Sequence, residues 1–206
     1  MKRATLVLVA LALLLGGTGR ARAELIITFS QNGADVVANG VGSLNFLGLT
    51  FSAFDMNPPS VNASAGLVDL GPVPGTYADY YGNISGPTSF GPGGNFLATS
   101  GTSTAANNTG AGVDGATGQL LVPGGYFAGT AFTINDTWAG TTISGLGLTP
   151  GTYTWTWGSG SNADDLKVII PGGAVPVPEP ASLTLLAICA VGLLGHGWRR
   201  RKRAVA

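Results

Sequence analysis

Thr152-Tyr153-Thr154-Trp155-Thr156-Trp157 alternates strictly, threonine against aromatic. Successive side chains of a β-strand point to opposite faces, so the three rings share one side and the three threonines the other. The aromatic side is the expected core face, because each ring removes a large apolar area from water. Thr149-Pro150-Gly151-Thr152 precedes it and reads as a tight turn. Proline sets φ at the second position and glycine supplies positive φ at the third. A hairpin is expected there.

The same texture extends toward the N-terminus. Short apolar runs lie at Leu25–Phe29, Val36–Val37, Leu44–Phe54, Leu67–Leu70, Asn95–Ala98, Gln119–Val122, Tyr126–Ile134, Thr141–Leu148 and, after the aromatic strand, Leu166–Ile170. Gly, Pro and Asn separate them, and no stretch sustains a 3.6-residue period. This pattern predicts a mainly β ectodomain, a single β-sandwich or jelly roll, over residues 24–170. Asn57–Ala65 and Thr99–Gly118 read as long loops, and Val113 is the only large apolar residue of the second. Pro-Gly-Thr-Tyr recurs at Pro74–Tyr77, and Pro-Gly-Gly at Pro92, Pro123 and Pro171. No fixed period links these, so they reflect shared turn chemistry rather than a repeat.

The two ends are addresses rather than fold. Lys2 and Arg3 form a charged start, Ala4–Leu15 an apolar stretch, and Gly16-Gly17 a break before Ala21-Arg22-Ala23. This order predicts a signal peptide over 1–23, with Ala21 and Ala23 at the small-x-small cut. The competing reading is an uncleaved anchor, and Arg20 and Arg22 beside the cut keep it open. At the other end, Pro171–Pro180 reads as a stiff proline-rich stalk. Ala181–Trp198 carries no charged residue and is long enough, at about 27 Å, to cross the hydrocarbon core as a transmembrane helix. Trp198 marks the interface, and Arg199, Arg200, Arg201, Lys202 and Arg203 hold the 199–206 tail in the cytoplasm. A buried core helix is the alternative, but it would need a polar face that this run lacks.

Charge excludes several function classes. Between Glu24 and Val177 there are nine acids and one cation, Lys167. Nucleic acid and anionic lipid are bound through cationic side chains, so neither is an expected partner of the domain. The same stretch has no Cys and no His; Cys189 and His196 both fall in the apolar run, as passengers. No disulfide, Ser-His-Asp triad, thiol nucleophile or thiolate metal site can be built there, and no cofactor is expected. Glycoside hydrolysis needs only two carboxylates, but the acids are scattered and only Asp164-Asp165 are adjacent, on opposite strand faces. The chain therefore reads as no enzyme.

Four features have a functional and a structural reading. Asn162-Ala163-Asp164-Asp165 could offer oxygens to Ca²⁺, or be a polar turn before the last strand. Thr152, Thr154 and Thr156 could contact sugar or ice, or be the ordinary outer side of a half-exposed sheet; ice binding needs a flat array over several strands. Tyr77, Asp79, Tyr80 and Tyr81 could stack on a sugar ring, or be aromatic packing at a turn edge. Asn62, Asn83, Asn107 and Asn135 begin glycosylation sequons, which an Asn-, Ser- and Thr-rich chain also produces by chance.

Val177-Pro178-Glu179-Pro180-Ala181-Ser182-Leu183, the apolar run, and Gly197-Trp198 with its basic tail together closely resemble the PEP-CTERM sorting signal of bacterial envelope proteins. That signal is also catalogued as an ice-binding protein C-terminal domain. Leu148–Gly158 looks like the closing strands of many ectodomains that carry it. The resemblance implies that an exosortase, a membrane protease-transpeptidase, recognises Pro178, Glu179 and Pro180. It removes the helix near them and releases the ectodomain to the cell surface or an exopolysaccharide matrix. The implied role is structural or adhesive. A carbohydrate-binding module acting on exopolysaccharide is the alternative, and it predicts a sugar-dependent emission change of any exposed Trp138, Trp155 or Trp157. A secreted carboxylate hydrolase is a third reading, tested by replacing single aspartates.

Overall fold

A computed structural model describes residues 23–172. Ala21, the predicted transmembrane helix, the sorting residues Pro178, Glu179 and Pro180, and the tail from Trp198 through Arg203 lie outside the described residues. Among the described residues the chain is mainly β, with no α-helix and no helix long and apolar enough to cross a membrane.

Thirteen strands form two sheets. The first contains β1 (Glu24–Asn32), β2 (Asp35–Gly42), β8 (Ser100–Ser103), β11 (Phe132–Trp138), β12 (Gly151–Trp157) and β13 (Asp164–Ile170), in the order β12-β13-β1-β2-β11-β8. The second contains β3 (Thr50–Asn57), β4 (Ser60–Asn62), β5 (Leu67–Leu70), β6 (Thr76–Gly82), β7 (Asn95–Leu97), β9 (Ala111–Asp114) and β10 (Gln119–Pro123), in the order β3-β6-β10-β9-β5-β4-β7. Nearly all pairs are antiparallel; β1 and β13 run parallel.

Alternating side chains of both sheets meet in one core, which makes the domain a β-sandwich. Leu25, Ile27 and Phe29 of β1, Val168 of β13, Val61 of β4, Val68 of β5, Val113 of β9 and Leu120 of β10 are fully buried in it. Each such side chain contributes about 1.5–3 kcal/mol relative to exposure. On β12 the rings of Trp155 and Trp157 are buried and Tyr153 packs against the core, while Thr152 and Thr156 are exposed. The alternation that predicted this strand therefore holds, with Thr154 half-buried like Tyr153.

Polar groups inside the sandwich satisfy the backbone that crosses between sheets. The indole N–H of Trp138 donates to the Phe96 carbonyl (3.0 Å), that of Trp155 to Pro87 (2.9 Å) and that of Trp157 to Asn45 (2.7 Å). Asp164 Oδ2 accepts the Asn45 N–H at 2.7 Å, so the segment leaving β2 is held at both its carbonyl and its amide. Tyr126 Oη accepts the Leu44 N–H at 3.0 Å and donates to the Thr130 carbonyl. Asp136 Oδ2, on the inward face of β11, accepts the Gly71 N–H at 2.9 Å and ties the end of β5 to the opposite sheet.

Several sequence expectations need correction. Gly151 does not take positive φ; it begins β12 and pairs with Ile170. Thr141–Leu148 is a series of tight turns, closed by bonds such as Leu146 N–H to the Thr142 carbonyl, and not a strand. The hairpin is instead β12–β13. Thr99–Gly118 holds β8 and β9, and Asn57–Ala65 holds β4. Ser-Gly-Thr-Ser and Ala-Gly-Val-Asp have little strand propensity of their own and become strands through their neighbours' ladders.

Candidate functional site

Register assembles the site. The pairings of the second sheet align Ala53, Tyr80, Leu121, Gly112, Asp69, Ser60 and Leu97 in one row across all seven strands. A second row, two residues along each strand, aligns Gln119, Asp114, Leu67, Asn62 and Asn95. The row between them contains Leu120, Val113, Val68 and Val61, which face the core, so both flanking rows face outward. A bulge between Phe51 and Ala53 resets β3, turning Phe51 toward Tyr81 while Ala53, Asp55 and Asn57 join the outer face.

These outer residues line a cavity of about 530 Å³. Its polar groups are Asp55, Asp69, Asp114, Tyr80, Asn57, Asn62, Asn95, Gln119 and Ser60, and its apolar ones include Leu67, Leu97 and Pro58. Leu121 and Ala78, on the same side of their strands as Tyr80, are buried but lie outside the main core cluster.

Asp69 sits in this cleft with only 3% of its surface exposed, and its Oδ1 has no hydrogen-bond partner among the described residues. Burial pushes its carboxyl well above the usual carboxylate range. Gly112, opposite it in register, is required by close strand packing: a Cβ there would lie 1.9 Å from the Val68 carbonyl oxygen. Tyr80 Oη accepts a 2.8 Å bond from Asn57 Nδ2. Its hydroxyl is pushed up to about 12, first by burial and then by the charge of Asp69, with smaller contributions from Asp55 and Asp114. The tyrosine therefore stays protonated and faces three carboxylates.

The other candidate residues do not converge here. Tyr77, Asp79 and Tyr81 alternate away from Tyr80, and Tyr81 packs on Phe46 with ring centroids 4.8 Å apart. Asp164 is buried toward Asn45, and Asp165 pairs with Lys167 at 3.2 Å; Lys167 also bonds Glu24. Among the described residues no group of three or more His, Cys, Asp or Glu is arranged to hold a metal ion. Trp138, Trp155 and Trp157 are all buried, so none is poised to stack on a sugar. Asp69, Asp55, Asp114 and Gln119 were not legible as a group, because they lie far apart in sequence and only strand register brings them together. Ala23 immediately precedes β1, half-buried.

The family model described as the PEP-CTERM protein-sorting motif matches residues 176–202. The chain thus carries a match to that motif directly after the described domain, over the stretch with Pro178, Glu179 and Pro180. No curated protein and no solved structure matches the chain.

Proposed function

We propose that this is an exported bacterial protein of the cell envelope or extracellular matrix, sorted by an exosortase, whose β-sandwich acts without catalysis in structure or adhesion. The sorting-motif match at 176–202 carries this reading. The nascent chain inserts through its C-terminal helix with the sandwich outside, and the exosortase cuts near Pro178-Glu179-Pro180. The sandwich, whose last strand ends at Ile170, then leaves the membrane. With no His or Cys in the domain, its surface supports contact better than covalent chemistry.

Replacing Pro178, Glu179 and Pro180 together by alanine tests the sorting step. The variant accumulates in the membrane fraction while wild type reaches the surface; equal release of both chains would remove the exosortase from the account.

The outer cleft favours a second reading, an exopolysaccharide-binding module. Its amides and carboxylates can both donate to and accept from sugar hydroxyls, and its leucines suit the apolar faces of sugar rings.

A further inference from the structure

The unsatisfied carboxylate on the outer face of the second sheet points to a ligand. Buried polar atoms in folded proteins almost always have partners, and Asp69 Oδ1 has none from the described residues. Asp69 lines the cleft rather than the core, although its Oδ1 is itself closed to solvent. All seven strands of the sheet contribute lining residues to the cleft. A site drawn on every strand suits a chain rather than a single small molecule.

The lining selects the chemistry. Three acidic side chains and no cation line the cleft, and the domain's single lysine is tied to Glu24 and Asp165 on the other sheet. Uronates, sulfates and phosphates therefore find no cationic partner there. A bare divalent cation is disfavoured, because the carboxylates do not gather as a ligand set. A peptide strand gains most of its affinity by backbone pairing at a sheet edge, and this cleft is on a sheet face. Hydroxyl groups remain, since each donates to a carboxylate and accepts from an amide N–H or a tyrosine O–H.

Resting on the carbohydrate-binding reading, we propose that this cleft is a binding site for a non-anionic glycan chain. A sugar hydroxyl donates to the Asp69 carboxyl once that side chain turns toward the cleft, while the Tyr80 ring and hydroxyl hold the neighbouring sugar.

The test uses the full chain purified in detergent. It is passed over immobilised dextran, laminarin, galactomannan and chitin, with polygalacturonate as the anionic comparison. At least one non-anionic glycan should retain it, with retention little changed by added salt. Tyr80→Ala and Asp69→Ala should each weaken that retention at least tenfold; circular dichroism checks the fold of each. Thr152→Ala, on the far sheet, should leave it unchanged. Retention that survives the cleft substitutions, or is lost in Thr152→Ala, overturns the site but leaves carbohydrate binding standing. Retention by none of the four, or only by polygalacturonate, overturns both. Shortening of the retained glycan overturns binding as the site's role and makes it a hydrolase.

Discussion

Asp136→Asn should stabilise the protein at neutral pH. Asp136 is fully buried on the inward face of β11, and one of its oxygens accepts the Gly71 N–H. The other oxygen has no partner among the described residues. Burial raises its carboxyl to about 8, the Gly71 bond opposing and the Asp69 charge adding to the rise. The raised value means that the folded chain holds a proton which the unfolded chain releases near pH 4. Stability from this residue is therefore full below the unfolded value and is lost as pH rises toward about 8. Each pH unit costs about 1.4 kcal/mol, so neutral pH costs at most about 4 kcal/mol, with about 2 kcal/mol a realistic share after relaxation of the interior. Asparagine keeps the acceptor for Gly71 and replaces the second oxygen by a neutral donor. The Gly71 carbonyl lies beside that position: it and Asp136 Oδ1 are 2.1 and 1.7 Å from where a Gly101 Cβ would sit. Urea unfolding followed by tryptophan emission, at a series of pH values from about 4 to 8, measures the difference. The two chains should be nearly equal in stability at the acid end and diverge steadily toward pH 8, with asparagine the more stable. Parallel curves, or an asparagine variant less stable at pH 7, would refute a protonated Asp136 in the folded state.

Other substitutions test the packing and the cleft. Gly101→Ala should unfold the domain or cost well over 2 kcal/mol, because its Cβ would overlap both Asp136 and the Gly71 carbonyl, which is backbone and cannot step aside; a shift in thermal midpoint reads it. Trp155→Phe should cost about 1–3 kcal/mol in urea unfolding, since it keeps an aromatic ring against Phe90 but strands the Pro87 carbonyl. Trp155→Ala should cost about 3–5 kcal/mol by adding a cavity. In an ultraviolet pH titration Tyr80 should ionise near 12, and Asp69→Asn should move it downward by removing the charge that adds to its burial. No movement would show that the two groups do not feel each other.

Legibility followed how local the cause was. The Thr152–Trp157 strand was readable because its alternation matches the pleat, and Leu67–Leu70 because a compact apolar run needs little else. Ser100–Ser103 and Ala111–Asp114 were not readable, since their strand state comes from the ladders of β11, β5 and β10. Thr141–Leu148 misled because Ile143, Leu146 and Leu148 are apolar at turn positions whose backbone bonds close locally. The tyrosine cluster misled for a simpler reason: neighbouring strand residues face opposite sides, so only Tyr80 reaches the cleft. The cleft itself depends on pairings between residues as distant as Asp69 and Gly112 or Tyr80 and Leu121, and no local pattern encodes them.

Mass spectrometry of this protein's C-terminal peptides, in cell-surface and membrane fractions, tests the central claim most directly. The account predicts a surface form that ends near Val177–Pro180 and lacks Trp198 and the basic tail. A protein found only in the membrane, with Trp198 and Arg199–Arg203 still attached, would contradict it and make this a permanently anchored chain.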